Sequence, residues 1–223
     1  MAALNRSTRA EQIRDTLRQA LYDGLYICGE RLVESRIAQE MGVSQNTVRD
    51  ALHLLEAEGW VTYQARQGVS VRHFTADEAE EIYALWANIE RLAFRWALSH
   101  NSRVDLLQVL RGPIEVARSH LAEGRWTAAR RALFQFHAQV ARQAGRTRTC
   151  DVLTTLRNQA YLLDVDYELH GSAALSDREH RFEAYETLLG IIKFGDLAAA
   201  EQALHDHIMD EGRPIVRWLA MHE

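Results

Sequence analysis

Proline is nearly missing from this sequence, with two residues among 223, and glycine is sparse at twelve. Abundant Ala, Leu, Arg and Glu take their place, and a helix-rich protein follows. Low-complexity segments and internal repeats are absent. The two cysteines, Cys28 and Cys150, stand far apart in no CxxC or Cys/His spacing, which excludes a disulfide framework and favours a reduced, intracellular protein. No stretch approaches the roughly 18 uncharged apolar residues of a membrane span, and the opening MAALNRSTRA has no apolar core of signal-peptide length. A cytoplasmic protein with no membrane partner is expected. There is no glycine-rich phosphate loop, no GxSxG and no HExxH, and His205 and His207, two apart, cannot share a helix face. Nothing sets up an activated nucleophile, so an enzyme is not expected.

Length allows one large domain or two modest ones. The net charge of −5 at first argues against nucleic acid. Split after Phe74, however, residues 1–74 hold nine Arg and nine Asp/Glu, and residues 75–223 carry the whole deficit. Were this neutral part to touch nucleic acid, it would rely on locally placed arginines, with modest nonspecific affinity and steep salt dependence.

What is present begins with IAQEMGVSQNTVRD, Ile37 to Asp50. Thr8 can cap a helix to about Asp23, with Ile13, Leu17 and Leu21 along one face and Gly24 as its stop. A short helix over Glu34–Met41 places Ile37, Ala38 and Met41 inward, and Gly42 supplies a tight turn. A third helix runs from Ser44, its N-cap, to Glu58, with Gly59 closing it and Val48, Leu52 and Leu55 buried. Gln45, Asn46, Arg49 and His53 are then left on the outer face. Two alternating runs, Val61–Gln64 and Val69–Arg72, flank Ala65-Arg66-Gln67-Gly68 and read as a β-hairpin.

Three helices and a hairpin make a winged helix-turn-helix, whose second motif helix enters the DNA major groove. Arg49 suits guanine or phosphate, Gln45 or Asn46 suits adenine, and Arg66 at the wing tip suits the minor groove or phosphate. The candidate DNA-contacting set is Arg36, Ser44, Gln45, Asn46, Thr47, Arg49, Arg66, Gln67 and Gly68.

Residues 75–223 show no strand pattern. Helices are expected over Thr75–His100, Arg103–Glu123, Thr127–Gly145, Thr149–His170, Ser176–Phe194 and Leu197–Met221, and their short links imply an antiparallel six-helix bundle. The fold class is therefore mainly α: an N-terminal winged helix-turn-helix over 1–74 and a C-terminal all-α bundle over 75–223. The first bundle helix carries Ile82, Leu85, Trp86, Ile89, Ala93 and Trp96 on one broad apolar face. Helical spacing also points His137, Tyr185 and His207 into the bundle, each among apolar residues, where their polar atoms need partners.

GERL (Gly29–Leu32), IAQEMGVSQNTVRDALHLLEAEGWV and the wing glycine resemble the winged-helix domain of GntR-type bacterial transcription regulators over residues 8–72. Cys28 stands where a proline usually precedes the glycine, and Gln45 and Thr47 stand where Arg and Pro are common. Losing that arginine removes a guanine fork, so the operator should differ. The helical remainder resembles the FadR branch and its FCD-type domain, in the shorter VanR-like form, anchored by Phe136-His137 and by Tyr185 through Gly195-Asp196 to His207. Many such domains hold a metal with an Asp, a His four residues later and two further His, beside a ligand-binding Arg. Those positions read Leu133, His137, Tyr185 and His207 here, and the arginine position reads Trp86. His137 and His207 alone survive as metal candidates, without a carboxylate.

What the resemblance implies is a degraded metal site turned into a more aromatic, less charged pocket for apolar or neutral ligands, lined by Trp86, Leu133, His137, Tyr185 and His207. His180, about 140° around the helix from Tyr185, is not expected to contribute. The function implied is a homodimeric, ligand-responsive regulator, most often a repressor, that binds a palindromic double-stranded DNA operator and a small-molecule effector. Two alternatives stand beside it: a DNA-binding dimer whose sensor no longer binds ligand, and a small metal-dependent enzyme built on the bundle.

Overall fold

The computed structural model describes residues 8–64, 66–171 and 175–223, and of residues 175–177 the backbone only. Ala65 of the expected turn and Ser172 of an expected helix break lie outside those residues. The chain divides into two compact units, Met1–His73 and Phe74–Glu223, one residue before the expected break.

The first unit contains α1 (Arg9–Tyr22), β1 (Arg31–Leu32), α2 (Glu34–Met41), α3 (Gln45–Ala57), β2 (Val61–Gln64) and β3 (Gly68–Val71). Thr8 caps α1 by accepting from the Glu11 N–H at 3.2 Å, while the Glu11 carboxylate accepts from the Thr8 N–H. That reciprocal pair satisfies two of the amides a helix start leaves open. Leu17 and Leu21 of α1 pack with Val48, Leu52 and Leu55 of α3 in a core sealed by Trp60, Val69 and Val71. Met41, expected inside, is only half-buried.

Gly42 closes α2 at φ +62°, a left-handed conformation that a side chain resists, and so turns the chain directly into α3. The C-cap of α3 is Glu58, and Gly59 follows it at φ +84°. The hairpin forms as expected, but a third strand joins it. In the order β1-β3-β2, Arg31 pairs with Ser70 and Leu32 with Val69. At two residues, β1 is too short to show alternation in the sequence.

The second unit contains α4 (Ala76–His100), α5 (Arg103–Ala122), α6 (Trp126–Gln143), α7 (Thr147–His170), α8 (Leu175–Phe194) and α9 (Leu197–Ala220). The six expected helices are all present. Among the described residues, no helix is long and apolar enough to cross a membrane. Thr75 and Glu78 start α4 with a second reciprocal cap.

The helix α4 lies against α6, α7 and α9, but the expected inward face is rotated. Leu85 is 44% exposed, and Ile89 and Trp96 are half-buried. The buried stripe instead runs through Tyr83, Trp86, Glu90, Phe94 and Ala97, which sets a carboxylate in the centre of the bundle. Against this stripe, α9 presents Gly212. A Cβ there would sit 2.4 Å from Cγ of Tyr83, so only glycine allows the two helices to come this close.

Candidate functional site

The first unit exposes one end of α3. Ser44 is its N-cap, accepting from the Thr47 N–H at 3.1 Å, and the two hydroxyls share a 2.8 Å hydrogen bond. Both residues thus hold the helix start. Beyond them Gln45, Asn46, Arg49 and His53 are exposed on one side; Gln45 and Asn46 lie in the first turn, at the positive end of the helix dipole, where phosphates and base acceptors are favoured.

Each of these residues has a local setting. Arg49 is clasped by Glu34 of α2, with Nη2 donating at 2.7 Å and Nε at 3.2 Å. His53 stacks on Tyr63 of β2 at 4.4 Å. Arg36 is exposed and paired with Glu40 one turn on, at 2.8 Å.

At the wing, Arg66 takes φ +68° and Gly68 φ +87°, and Arg66, Gln67 and Gly68 are exposed. The sequence reading missed Arg31. Its guanidinium lies 3.6 Å from where a Cβ on Gly68 would be, which puts a second arginine beside the wing. No local signal marks it, because the strand that carries it is set by pairing with β3, distant in the chain.

In the second unit, Trp86, His137, Tyr185 and His207 are brought together. Ring centroids lie 4.8 Å apart for Trp86–His137, 5.5 Å for His137–Tyr185 and 4.3 Å for Tyr185–His207. Leu133 is also buried. The expected absence of a carboxylate partner is corrected by two residues, Glu90 and Glu211. Glu90 bonds His137 Nδ1 at 2.6 Å and accepts from the Trp86 indole N–H. Glu211, one helical turn after His207, lies 3.7 Å from its Nε2 and close to the Tyr185 hydroxyl. Glu211 was legible as a charged residue on an apolar stripe, four after His207; the inward turn of Glu90 was not, because it follows from the rotation of α4.

His137, His207 and Glu211 place ligand atoms within 4.8 Å of one another, which is the grouping a divalent ion would need. The arrangement nevertheless does not fit one. Both nitrogens of His137 are engaged, Nδ1 by Glu90 and Nε2 by the Tyr185 hydroxyl at 2.9 Å. That hydroxyl is buried, and burial pushes the neighbouring Glu211 carboxyl up from its ordinary value. With both nitrogens of His137 engaged, His207 Nε2 and the Glu211 carboxyl are left, fewer than the three or four protein ligands zinc sites use. Burial, with His137 and Arg181 nearby, lowers His207 to about 3, which keeps it neutral.

A cavity of about 410 Å³ opens beside this network, between α6, α7, α8 and α9. His207 is the one expected pocket residue on its lining, and Trp86, Leu133, His137 and Tyr185 are not part of that lining. Nor is the lining weakly charged, as expected. It includes Asp164, Glu168, Asp210, Glu211, Arg178 and Arg181, with Trp126, Tyr167 and Pro214 as apolar surface. His180, discounted from its helical angle, also lines it.

The charges are largely paired. Asp164 holds Arg181 and lies 3.7 Å from Arg130, and Glu168 holds Arg130 and, at 2.9 Å, Arg178. Four buried side-chain atoms on the lining residues find no hydrogen-bond partner among the described residues: Trp126 Nε1, Asp164 Oδ2, Arg178 Nε and His207 Nε2. Buried polar atoms in native proteins are almost always satisfied, by protein, water or ligand.

Comparison with known proteins agrees with this two-part architecture. Residues 9–71 match the model of the gntR family of bacterial regulatory proteins, and residues 81–210 match the FCD domain. A probable D-xylose utilization operon transcriptional repressor of Paenarthrobacter nicotinovorans is 28% identical over 210 residues, covering 92% of this chain and 88% of that protein. The uncharacterized HTH-type transcriptional regulator YdhC of Bacillus subtilis (strain 168) is 30% identical over 95 residues, 43% of this chain and 42% of its own length. Among solved structures, a GntR regulator from Rhodococcus sp. RHA1 superposes with a TM-score of 0.77 at 24% identity, covering 94% of this chain and 98% of that one. E. coli McbR/YncC superposes at 0.79 with 19% identity, covering 95% and 99%.

Proposed function

The chain belongs to the gntR family of bacterial regulatory proteins, as a DNA-binding transcription regulator with an FCD ligand-sensing domain, and on that premise we propose that it is a homodimeric, effector-controlled repressor acting in the cytoplasm. The observation that carries this reading is the exposed polar end of α3, with Gln45, Asn46 and Arg49 on one side of a buried helix-turn-helix core. In each copy α3 enters the major groove of one half of a palindromic operator. Arg49 and either Gln45 or Asn46 read base edges, and the wing arginines contact the backbone or minor groove. The repressor name of the Paenarthrobacter relative supports the sign of regulation.

Two copies are required by a palindromic site. An outward apolar strip on α4, Leu85, Ile89, Leu92 and Trp96, follows helical spacing and supports pairing with a second copy; Leu85 and Leu92 are 44% and 41% exposed. Effector binding in the second unit changes operator affinity through a coupling free energy that acts equally in both directions. The cavity favours a working sensor over one that has lost its ligand.

Light scattering and gel retardation on the DNA upstream of the chain's own gene test this reading. It expects a dimer mass and a discrete complex that survives competitor DNA at about 0.1 M salt. A monomer with no preference for that DNA contradicts it.

A further inference from the structure

His53 lies on the outer face of α3 but has no part in the base contacts assigned to Gln45, Asn46 and Arg49. Its ring is held from two sides. It stacks on Tyr63 of β2 at 4.4 Å, with the planes 17° apart, and its Nδ1 stands 3.6 Å from the Glu56 carboxylate, one turn further along α3. Both supports are themselves fixed. Glu56 accepts from the Tyr63 N–H at 3.1 Å, and the Tyr63 hydroxyl donates to the Arg49 carbonyl at 3.4 Å. The His53 side chain is nonetheless 55% exposed, and no group among the described residues bonds its Nε2. We propose that His53 grips a DNA backbone phosphate at the rim of the major groove, with Nε2 donating to a phosphate oxygen and Nδ1 to Glu56. This inference rests on the reading of α3 as the recognition helix and adds a contact to it.

Height along the helix selects a phosphate over a base. His53 follows Gln45 by eight residues, a rise of about 12 Å, whereas the major groove is about 8.5 Å deep. A helix inserted by its N-terminal end, so that its first turn meets base edges, therefore carries residue 53 up to the level of the backbone. The stack on Tyr63 fixes the ring before it meets DNA, which reduces the ordering that binding must impose.

With a carboxylate at one nitrogen and a phosphate at the other, both nitrogens must donate, and only the doubly protonated imidazole does so. The contact therefore takes up a proton in the range where imidazoles change charge, about pH 5–8. The charged and titratable groups that face the ring are Glu56 on α3 and Tyr63 on β2, with Arg49, Asp50 and Glu34 around Tyr63. Burial pushes the Tyr63 hydroxyl up to about 12, so it stays neutral over that range and serves as a flat support. An aromatic face beneath the ring also suits the cation that forms.

The experiment measures binding of the full chain to the duplex upstream of its own gene and to a scrambled duplex, by fluorescence anisotropy at pH 6 and pH 8. Wild type should bind both at least about threefold more tightly at pH 6, as uptake of a proton on binding requires. His53→Gln keeps a polar side chain without the titration and should lose that difference. His53→Ala should weaken both duplexes at pH 6 by the same factor, roughly fivefold, and reduce the salt slope by about one. A second measurement leaves the protein intact: single phosphates of the upstream duplex are replaced by neutral methylphosphonates, and at one position per half-site the pH difference should vanish. The wild-type pH response in His53→Gln, or in every methylphosphonate duplex, overturns the assignment. A loss in His53→Ala confined to the upstream duplex would make His53 a base reader and overturn it as well. If wild type prefers the upstream duplex and only these effects are missing, the recognition-helix reading stands and this contact alone is wrong. If wild type binds neither duplex, both fail.

Discussion

Arg49 of the recognition helix and Glu34 of the preceding helix form a two-pronged ion pair, at 2.7 and 3.2 Å, on the surface that faces DNA in a winged helix-turn-helix. On the proposed reading, the guanidinium is thereby oriented before any base is met, and a negative charge stands beside the path of the phosphates. The two residues should therefore act in opposite directions. Arg49→Ala should lower specific affinity by about tenfold to a hundredfold, as loss of one base-reading arginine does. Glu34→Gln should raise nonspecific affinity severalfold by removing a carboxylate from a phosphate-facing surface. Fluorescence anisotropy with operator and scrambled duplexes measures both, and unchanged values for the pair would refute the assigned roles.

Gly212→Ala tests the close approach of α9 to α4. Alanine is favoured over glycine in a helix by about 1 kcal/mol, but its Cβ would fall 2.4 Å from the buried Tyr83 ring. Overpacking of that kind costs about 1–3 kcal/mol, so the clash should win and the melting midpoint should fall by about 5 °C. An unchanged or higher midpoint would mean that the helices separate freely.

His207 links stability to pH. Its folded value is lowered to about 3 by burial, with His137 and Arg181 contributing, against about 6.5 when unfolded. Between those values the unfolded chain takes up a proton that the folded chain does not. The stability of the neutral form is therefore complete above pH 6.5 and is lost as pH falls toward 3. Glu211, raised by burial, has the opposite slope, since the folded state keeps its proton above the unfolded value. Comparing wild type with His207→Phe isolates the first effect. From pH 7 to pH 4.5 wild type should lose about 2 kcal/mol more stability than the variant. Equal losses in denaturant titrations would contradict a neutral buried His207.

Tyr185 decides the metal question. Its hydroxyl engages His137 Nε2 at 2.9 Å, so the purified protein should contain no stoichiometric zinc, manganese or nickel. Tyr185→His, which replaces the phenol with a nitrogen donor, should bind one zinc per chain by mass spectrometry of the metals. An ion in wild type that is lost in His137→Ala would reverse this account.

Much of this was legible in the sequence because local chemistry wrote it. Thr8, Gly42 and Ser44 mark helix ends through capping, and Ile13, Leu17 and Leu21 mark a buried face through spacing. Outcomes set by partners distant in the chain were not legible. The strand at Arg31 and Leu32 exists because Ser70 and Val69 lie beside it. The rotation of α4 follows from what α6, α7 and α9 offer it, so Leu85 faces outward while Glu90 goes in. The charged cavity arises where Asp164 and Glu168 meet arginines of α6 and α8, pairings that no helical period reveals.

Selection of bound duplexes from a random pool by the full chain, beside Gln45→Arg, probes the centre of this account most directly. The wild type should enrich an inverted repeat whose half-sites lie about one helical turn, 10–10.5 base pairs, apart, and the variant should shift the preferred base within each half-site toward guanine. No enriched sequence from the wild type, or the same repeat from both proteins, would contradict it.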